Sequence, residues 1–140
     1  MPLVRIDLIR GKPDEYRRAV GDAVYRALLG FGAPADDQFQ IIEEHDPDGF
    51  IYAPRYLGIE RSDDLLIIQI TLVQGRSVEM KRAFYKSLAD ELQEAVAIRR
   101  EDVFINLVEV AKENWSFGGG VAQYASEDPS VPSQIEGMQR

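Results

Sequence analysis

Three positions in this chain carry atoms that could move protons or grip an anion. Pro2 follows the initiator methionine and opens the alternating run Leu3-Val4-Arg5-Ile6-Asp7-Leu8. Methionine is ordinarily removed before proline, which would leave a secondary amine at the tip of a strand. Its pKa starts from about 7.7–8.0, the α-amino range, close enough to neutrality for general acid or base work. Arg76 stands between Gly75 and Ser77, just before an expected helix, where its guanidinium and the first free N–H groups of that helix could hold a carboxylate bidentately. Asp37 ends the turn Pro34-Ala35-Asp36-Asp37; beside the Pro2 nitrogen its charge would raise the amine's pKa, while burial and a nearby arginine would lower it. The balance sets the chemistry. A neutral amine abstracts a proton α to a carbonyl, whereas an ammonium donates a proton or polarises a carbonyl. Each position also has a plain alternative: a chance proline, a solvated arginine at a helix start, an aspartate chosen for its turn. Trp115 and Phe117 stand equally well as pocket walls or as core and interface aromatics.

Composition narrows the partners. The 140 residues suit one domain with a core of its own. With 24 acidic against 16 basic residues and a net charge of -8, nucleic acid and anionic membrane surfaces are repelled overall, so an anionic substrate needs a local cation. There is no cysteine, which removes disulfides and thiolate chemistry and suits a reducing compartment. No apolar run is long enough to span a bilayer and no secretory leader pattern opens the chain, so the expected location is the cytoplasm. His45 stands beside Asp46 and Asp48 and reads as an exposed loop histidine; no metal site is expected. Gly118-Gly119-Gly120 lacks the lysine and spacing of a phosphate loop and reads as a turn.

The elements that must position these residues repeat. After the first strand, Tyr16, Ala19, Val20, Ala23, Val24, Ala27 and Leu28 recur at helical spacing, with Pro13 at the helix start. Residues 38–43 read as a second strand. Residues 65–73 form a nearly continuous apolar run, as in a buried central strand. Ser77 N-caps a second helix carrying Phe84, Tyr85, Leu88, Leu92 and Val96, and residues 103–110 form the last strand. The halves superpose without a gap at an offset of 65 residues, setting Asp37 on Asp102 and Phe39 on Phe104. Two right-handed β-α-β units joined by residues 45–64 give an α/β fold, a four-stranded sheet with both helices on one face. The other face requires cover, and a homo-oligomer supplies it. The domain is expected at residues 1–125, with repeats at about 2–60 and 61–125, and residues 126–140 are expected to be a polar, mobile tail.

Pro2, Phe31-Gly32-Ala33-Pro34-Ala35-Asp36-Asp37, Gly75-Arg76 and Trp115-Ser116-Phe117-Gly118 together resemble the tautomerase superfamily, and within it the malonate semialdehyde decarboxylase family, over residues 2–125. The resemblance implies a β-α-β fold, a homotrimer and no cofactor. It implies that Pro2 is the catalytic acid/base, that Asp37 and Arg76 are catalytic partners, and that Trp115, Phe117 and Tyr124 line the pocket. Where the decarboxylase pattern has a further arginine, this chain has Gln74, which implies a neutral hydrogen-bond donor at that point. The function expected is keto-enol tautomerisation of a small keto or enol carboxylate. The alternatives are a decarboxylase or hydratase of a β-keto acid such as malonate semialdehyde, and a non-catalytic binding or assembly module. A dimeric ferredoxin-like barrel shares the duplicated pattern but would leave a free Pro2 nitrogen without a use.

Overall fold

Alternation decides the sheet and helical periodicity covers one side of it. The computed structural model describes residues 2–125; the expected loss of Met1 and the expected tail at 126–140 lie outside the described residues. Strand β1 (Leu3–Ile9) sends Val4, Ile6 and Leu8 into the core and Leu3, Arg5, Asp7 and Ile9 to the opposite face, the period-2 consequence of a pleated strand. Helix α1 (Asp14–Gly30) buries Val20, Ala23, Val24, Ala27 and Leu28. Pro13 is its N-cap, and Asp14 and Glu15 complement the positive end of its dipole. Strand β2 (Phe39–His45) runs parallel to β1.

The connection that follows holds a short hairpin, β3 (Arg55–Tyr56) and β4 (Ile59–Glu60), within the segment that the sequence pattern gives only as a join between the two units. Its two turn residues, Leu57 and Gly58, have φ of 54° and 74°, the left-handed pair that matches strand twist in two-residue hairpins. Strand β5 (Leu66–Val73) then lies antiparallel to β1. Helix α2 (Val78–Val96) starts at Ser77, whose hydroxyl accepts from the Met80 N–H at 3.1 Å. It buries Phe84, Leu88, Ala89 and Leu92, whereas Tyr85, expected in the core, is 37% exposed. Strand β6 (Val103–Val110) closes the sheet parallel to β5.

The sheet order is β2-β1-β5-β6. Each β-α-β unit therefore contributes one inner and one outer strand, and the antiparallel β1–β5 pair is the seam of a pseudo-two-fold. Both helices pack on one face and are clipped together by Arg26 Nε and Glu91 Oε2 at 2.9 Å. The core between them is one cluster, centred on Ile6, Ile68, Ile70, Leu88 and Leu92. The other sheet face stays open in the single chain: Phe39, Ile41, Phe104 and Val108 are 52%, 45%, 42% and 36% exposed. No helix among the described residues is long and apolar enough to cross a membrane.

Candidate active site

The register of the sheet brings the N-terminus to the place where three segments meet. Leu3 pairs with Phe39 on one side and Thr71 on the other. One residue earlier, Pro2 falls between Gln38, just after Asp37, and Leu72, just before Val73. Pro2 is buried. Asp37 is 4% exposed, held in its turn by its own N–H donating to Pro34 O at 3.1 Å. Burial pushes the Asp37 carboxyl above the ordinary aspartate range, and the positive charge of the chain terminus pulls it partly back.

Tyr124 closes over the same point. It is 4% exposed and packs with Val73 and Trp115 in a small second core. Burial raises its phenol pKa, and the nearby Asp37 charge raises it further. Trp115 stacks on Phe117 at 5.3 Å between ring centroids, and Phe117 meets Tyr124 edge-on at 4.8 Å. The segment carrying these rings is folded back by Gln123, which accepts from the Phe117 N–H at 2.8 Å and donates to Gly118 O at 2.7 Å. The glycine run is thus a turn that serves the aromatic wall. A cavity of ≈ 230 Å³ is lined by Leu3, Phe39, Trp115, Ser116 and Phe117. The Trp115 Nε1–H is buried in this wall without a hydrogen-bond partner among the described residues, a donor that a native fold rarely leaves unanswered.

Arg76 is reached through Val73. The carbonyl of Val73 accepts from Arg76 Nη1 at 3.1 Å, and that of Phe31 accepts from Nε at 3.2 Å. The guanidinium also lies 4.6 Å from the centroid of the Phe31 ring, which is itself stacked on Phe84 at 4.4 Å. Gly75, at φ 125°, makes the left-handed bend that turns the chain from β5 into this position. Half-burial lowers the Arg76 pKa and Glu109 opposes the shift; the group remains a cation at any physiological pH. Gln74 is exposed, its backbone N–H donating to Val110 O at 2.9 Å. Gln74 and Arg76 line a cavity of ≈ 370 Å³ together with Phe31, Gly32, Met80 and Lys112.

Pro2, Asp37, Trp115, Phe117 and Tyr124 are therefore gathered at one end of the sheet. Arg76 and Gln74 open into an adjoining cavity across Val73 rather than into the aromatic one. Sequence reasoning missed Phe31 as the platform under Arg76 and missed Lys112 beside Gln74. The signal for Phe31 was an aromatic at a helix end, but its partner is 45 residues away.

His45 is a correction. It is not in a loop: it closes β2, half-buried, with Nε2 2.6 Å from Asp7 Oδ1. With Glu43 it forms the one set among the described residues that could hold a metal, with one ligand atom from each within 4.8 Å. Glu43 already pairs with Arg5 at 3.3 Å, and the set sits five residues along β1 from Pro2, about 17 Å at ~3.3 Å per strand residue. It takes no part in the N-terminal cluster.

Comparison with known proteins agrees with this fold. Two profiles, each described as "Tautomerase enzyme", match residues 37–118 and 2–59. The probable tautomerase YusQ of Bacillus subtilis is 38% identical over 124 residues, 88% of this chain and 98% of its own length. The solved structure of FG41 malonate semialdehyde decarboxylase inhibited by 3-bromopropiolate is 38% identical, with a TM-score of 0.83, covering 93% of this chain and 99% of that one. A fused 4-OT symmetric trimer shares the fold at a TM-score of 0.72 and 22% identity, over 89% of this chain and 98% of that one. Family profiles that span the chain and relatives at 38% identity over nearly their whole length place it: the chain belongs to the tautomerase superfamily.

Proposed function

We propose that this protein is a cofactor-independent tautomerase that uses the Pro2 nitrogen, freed by loss of Met1, to move a proton on a small keto or enol carboxylate. The observation that carries the reading is the burial of Pro2 at the head of β1 next to the buried Asp37 turn, beneath a wall of three aromatic rings. In the ketonising direction the neutral amine takes the enol hydroxyl proton, the C–O bond becomes a carbonyl, and the adjacent carbon takes a proton back from the ammonium. Nothing is oxidised or reduced, so proton transfer accounts for the whole reaction. Asp37 holds the ammonium stage, since an opposite charge favours the protonated amine. Arg76 anchors the substrate carboxylate from the adjoining cavity, across Val73 from the aromatic wall, its fork fixed by two backbone carbonyls and the Phe31 ring. The Trp115 N–H, buried and unanswered, is available to a substrate oxygen, with Phe117 and Tyr124 as the walls.

The identity to a malonate semialdehyde decarboxylase supports a second reading, decarboxylation of a β-keto acid. Gln74 weighs against it, because an amide donates a hydrogen bond but brings no charge to the carbanion that forms as CO₂ leaves. The open apolar sheet face and the trimeric neighbour support assembly as a homotrimer. One experiment separates the readings: enol ketonisation and CO₂ release are measured side by side on processed wild type and Pro2→Ala. Ketonisation that falls about 100-fold or more in the variant, the scale of a general acid/base group, supports the tautomerase. Dominant CO₂ release supports the decarboxylase, and neither activity supports a binding module.

A further inference from the structure

The pseudo-two-fold that relates the two β-α-β units carries the aromatic cavity beside Pro2 onto a second cavity at the opposite end of the sheet. Leu3 is paired with Phe39, and in the second unit Ile67 is paired with Phe104, so β1 falls on β5 at an offset of 64 residues and β2 on β6 at 65, a one-residue gap that corrects the ungapped superposition expected from the sequence. The first pair lines the cavity of ≈ 230 Å³ and the second lines one of ≈ 240 Å³. The walls correspond as well: Ser116 and Phe117 fall on Ile51 and Tyr52 at the 65-residue offset, and both of these line the second cavity. Phe50 meets Tyr52 edge-on at 6.2 Å where Trp115 stacks on Phe117 in the other half.

The polar groups have diverged while the walls have not. The counterpart of Pro2 in the register is Leu66, a residue inside the chain whose nitrogen is a peptide N–H with no basicity. The counterpart of Asp37 is Asp102, which is 0% exposed and fully committed to structure: it accepts from the Ser62 N–H and hydroxyl, each at 2.7 Å, and lies 3.4 Å from Arg99 Nε. The counterpart of Arg76 is Lys12, which follows Gly11 at φ 129° as Arg76 follows Gly75 at φ 125°, and whose charge is met by Asp64 at 2.7 Å. The acid/base group and the anchor of the first site are thus absent or neutralised here.

One new cation takes the anchor's place. Arg61 lines the second cavity, lies 5.9 Å from the Phe104 ring centroid, and makes one long hydrogen bond to Ile59 O at 3.4 Å. It forms no ion pair among the described residues, whereas Lys12, Arg10, Arg17, Arg26 and Arg99 all do. An apolar cavity of the first site's size, with an uncompensated guanidinium on its wall, fits a small monocarboxylate with an aromatic body. We propose that this cavity is a second, non-catalytic binding site for such an acid, in which Arg61 takes the carboxylate and the Phe104, Ile67 and Tyr52 walls take the ring. The proposal is independent of the role assigned to Pro2.

The test uses the whole protein in its native assembly, labelled at isoleucine and leucine methyl groups and titrated with benzoate. Saturating shifts of the Ile51 and Ile67 methyls are expected. Arg61→Gln should weaken benzoate at those methyls about tenfold, the loss of one charge-assisted hydrogen bond, and the neutral isostere benzamide should bind wild type no better than benzoate binds the variant. Ketonisation by Arg61→Gln should match wild type, since Arg61 lies outside the N-terminal cluster. Shifts confined to the Leu3 methyls, absence of saturable shifts, or equal benzoate affinity in a folded Arg61→Gln protein would each overturn the proposal.

Discussion

Replacing Phe31 by leucine separates what holds the fold from what holds the anion. Phe31 is buried, stacks on Phe84 at 4.4 Å, and carries the Arg76 guanidinium 4.6 Å above its ring. Leucine keeps most of the volume and none of the π-face. The stacked pair contributes about 0.5–1.5 kcal/mol beyond area, and a half-buried cation over a ring about 1 kcal/mol, so Phe31→Leu should cost roughly 2 kcal/mol. Urea unfolding should show a lower midpoint at unchanged slope. A double-mutant cycle with Arg76→Ala should return a coupling of about 0.5–1 kcal/mol, because the ring–guanidinium contact is the interaction both variants remove. The two carbonyls that grip Arg76, from Phe31 and Val73, belong to the backbone and survive the change. Turnover should therefore stay near wild type while KM for a carboxylate substrate rises only a few-fold. A destabilisation below about 0.5 kcal/mol, or a coupling of zero, would refute the assignment of Phe31 as the platform.

Arg76→Ala itself should weaken a carboxylate substrate by about 2–5 kcal/mol and leave an uncharged analogue unaffected; equal losses on both would remove Arg76 from the anchor role. Asp37 carries a pH signature. Its folded pKa lies above its unfolded one through burial, so its contribution favours folding below the ordinary aspartate pKa and is lost as pH rises through the raised value. Asp37→Asn should thus be more stable than wild type at neutral pH and lose that advantage in acid, which thermal melts across that range would show; a constant difference at all pH values would contradict the shift. Gln74→Arg should add CO₂ release from malonate semialdehyde to a protein that otherwise ketonises enols, a gain on the order of 3 kcal/mol in the barrier if the new charge faces the carbanion. Efficient decarboxylation by the unmodified protein would make the second reading the first.

Apolar patterning made most of the fold legible, and it failed where charge replaces it. Strand β6 has the bounds its alternation predicts, and β5 starts one residue after Leu65, whose N–H turns back to Ser62 O at 3.1 Å. Strand β2 runs on to His45 rather than stopping at Glu43. Its last residues are satisfied by Arg5, Arg17 and Asp7 from other elements, pairings that no local pattern announces. The β3–β4 hairpin was hidden because Leu57 occupies a left-handed turn position that normally signals itself by glycine or asparagine. At the site, the turn of Asp37, the cap at Ser77 and the Arg76 bend are local and readable. The Trp115–Phe117–Tyr124 wall was readable as residues through the family resemblance, whereas the Phe31 platform under Arg76 is long-range packing, and the separate cavities on either side of Val73 follow from side-chain directions that only the folded chain defines.

One atom decides the proposed activity, the Pro2 nitrogen as a free amine. The direct measurement is enol ketonisation by two preparations of the same sequence, one processed and one retaining Met1, each defined by intact mass. In the retained form the nitrogen is a tertiary amide with no basicity. Turnover about 100-fold lower or more in that form is the predicted result; equal turnover in the two preparations would contradict it.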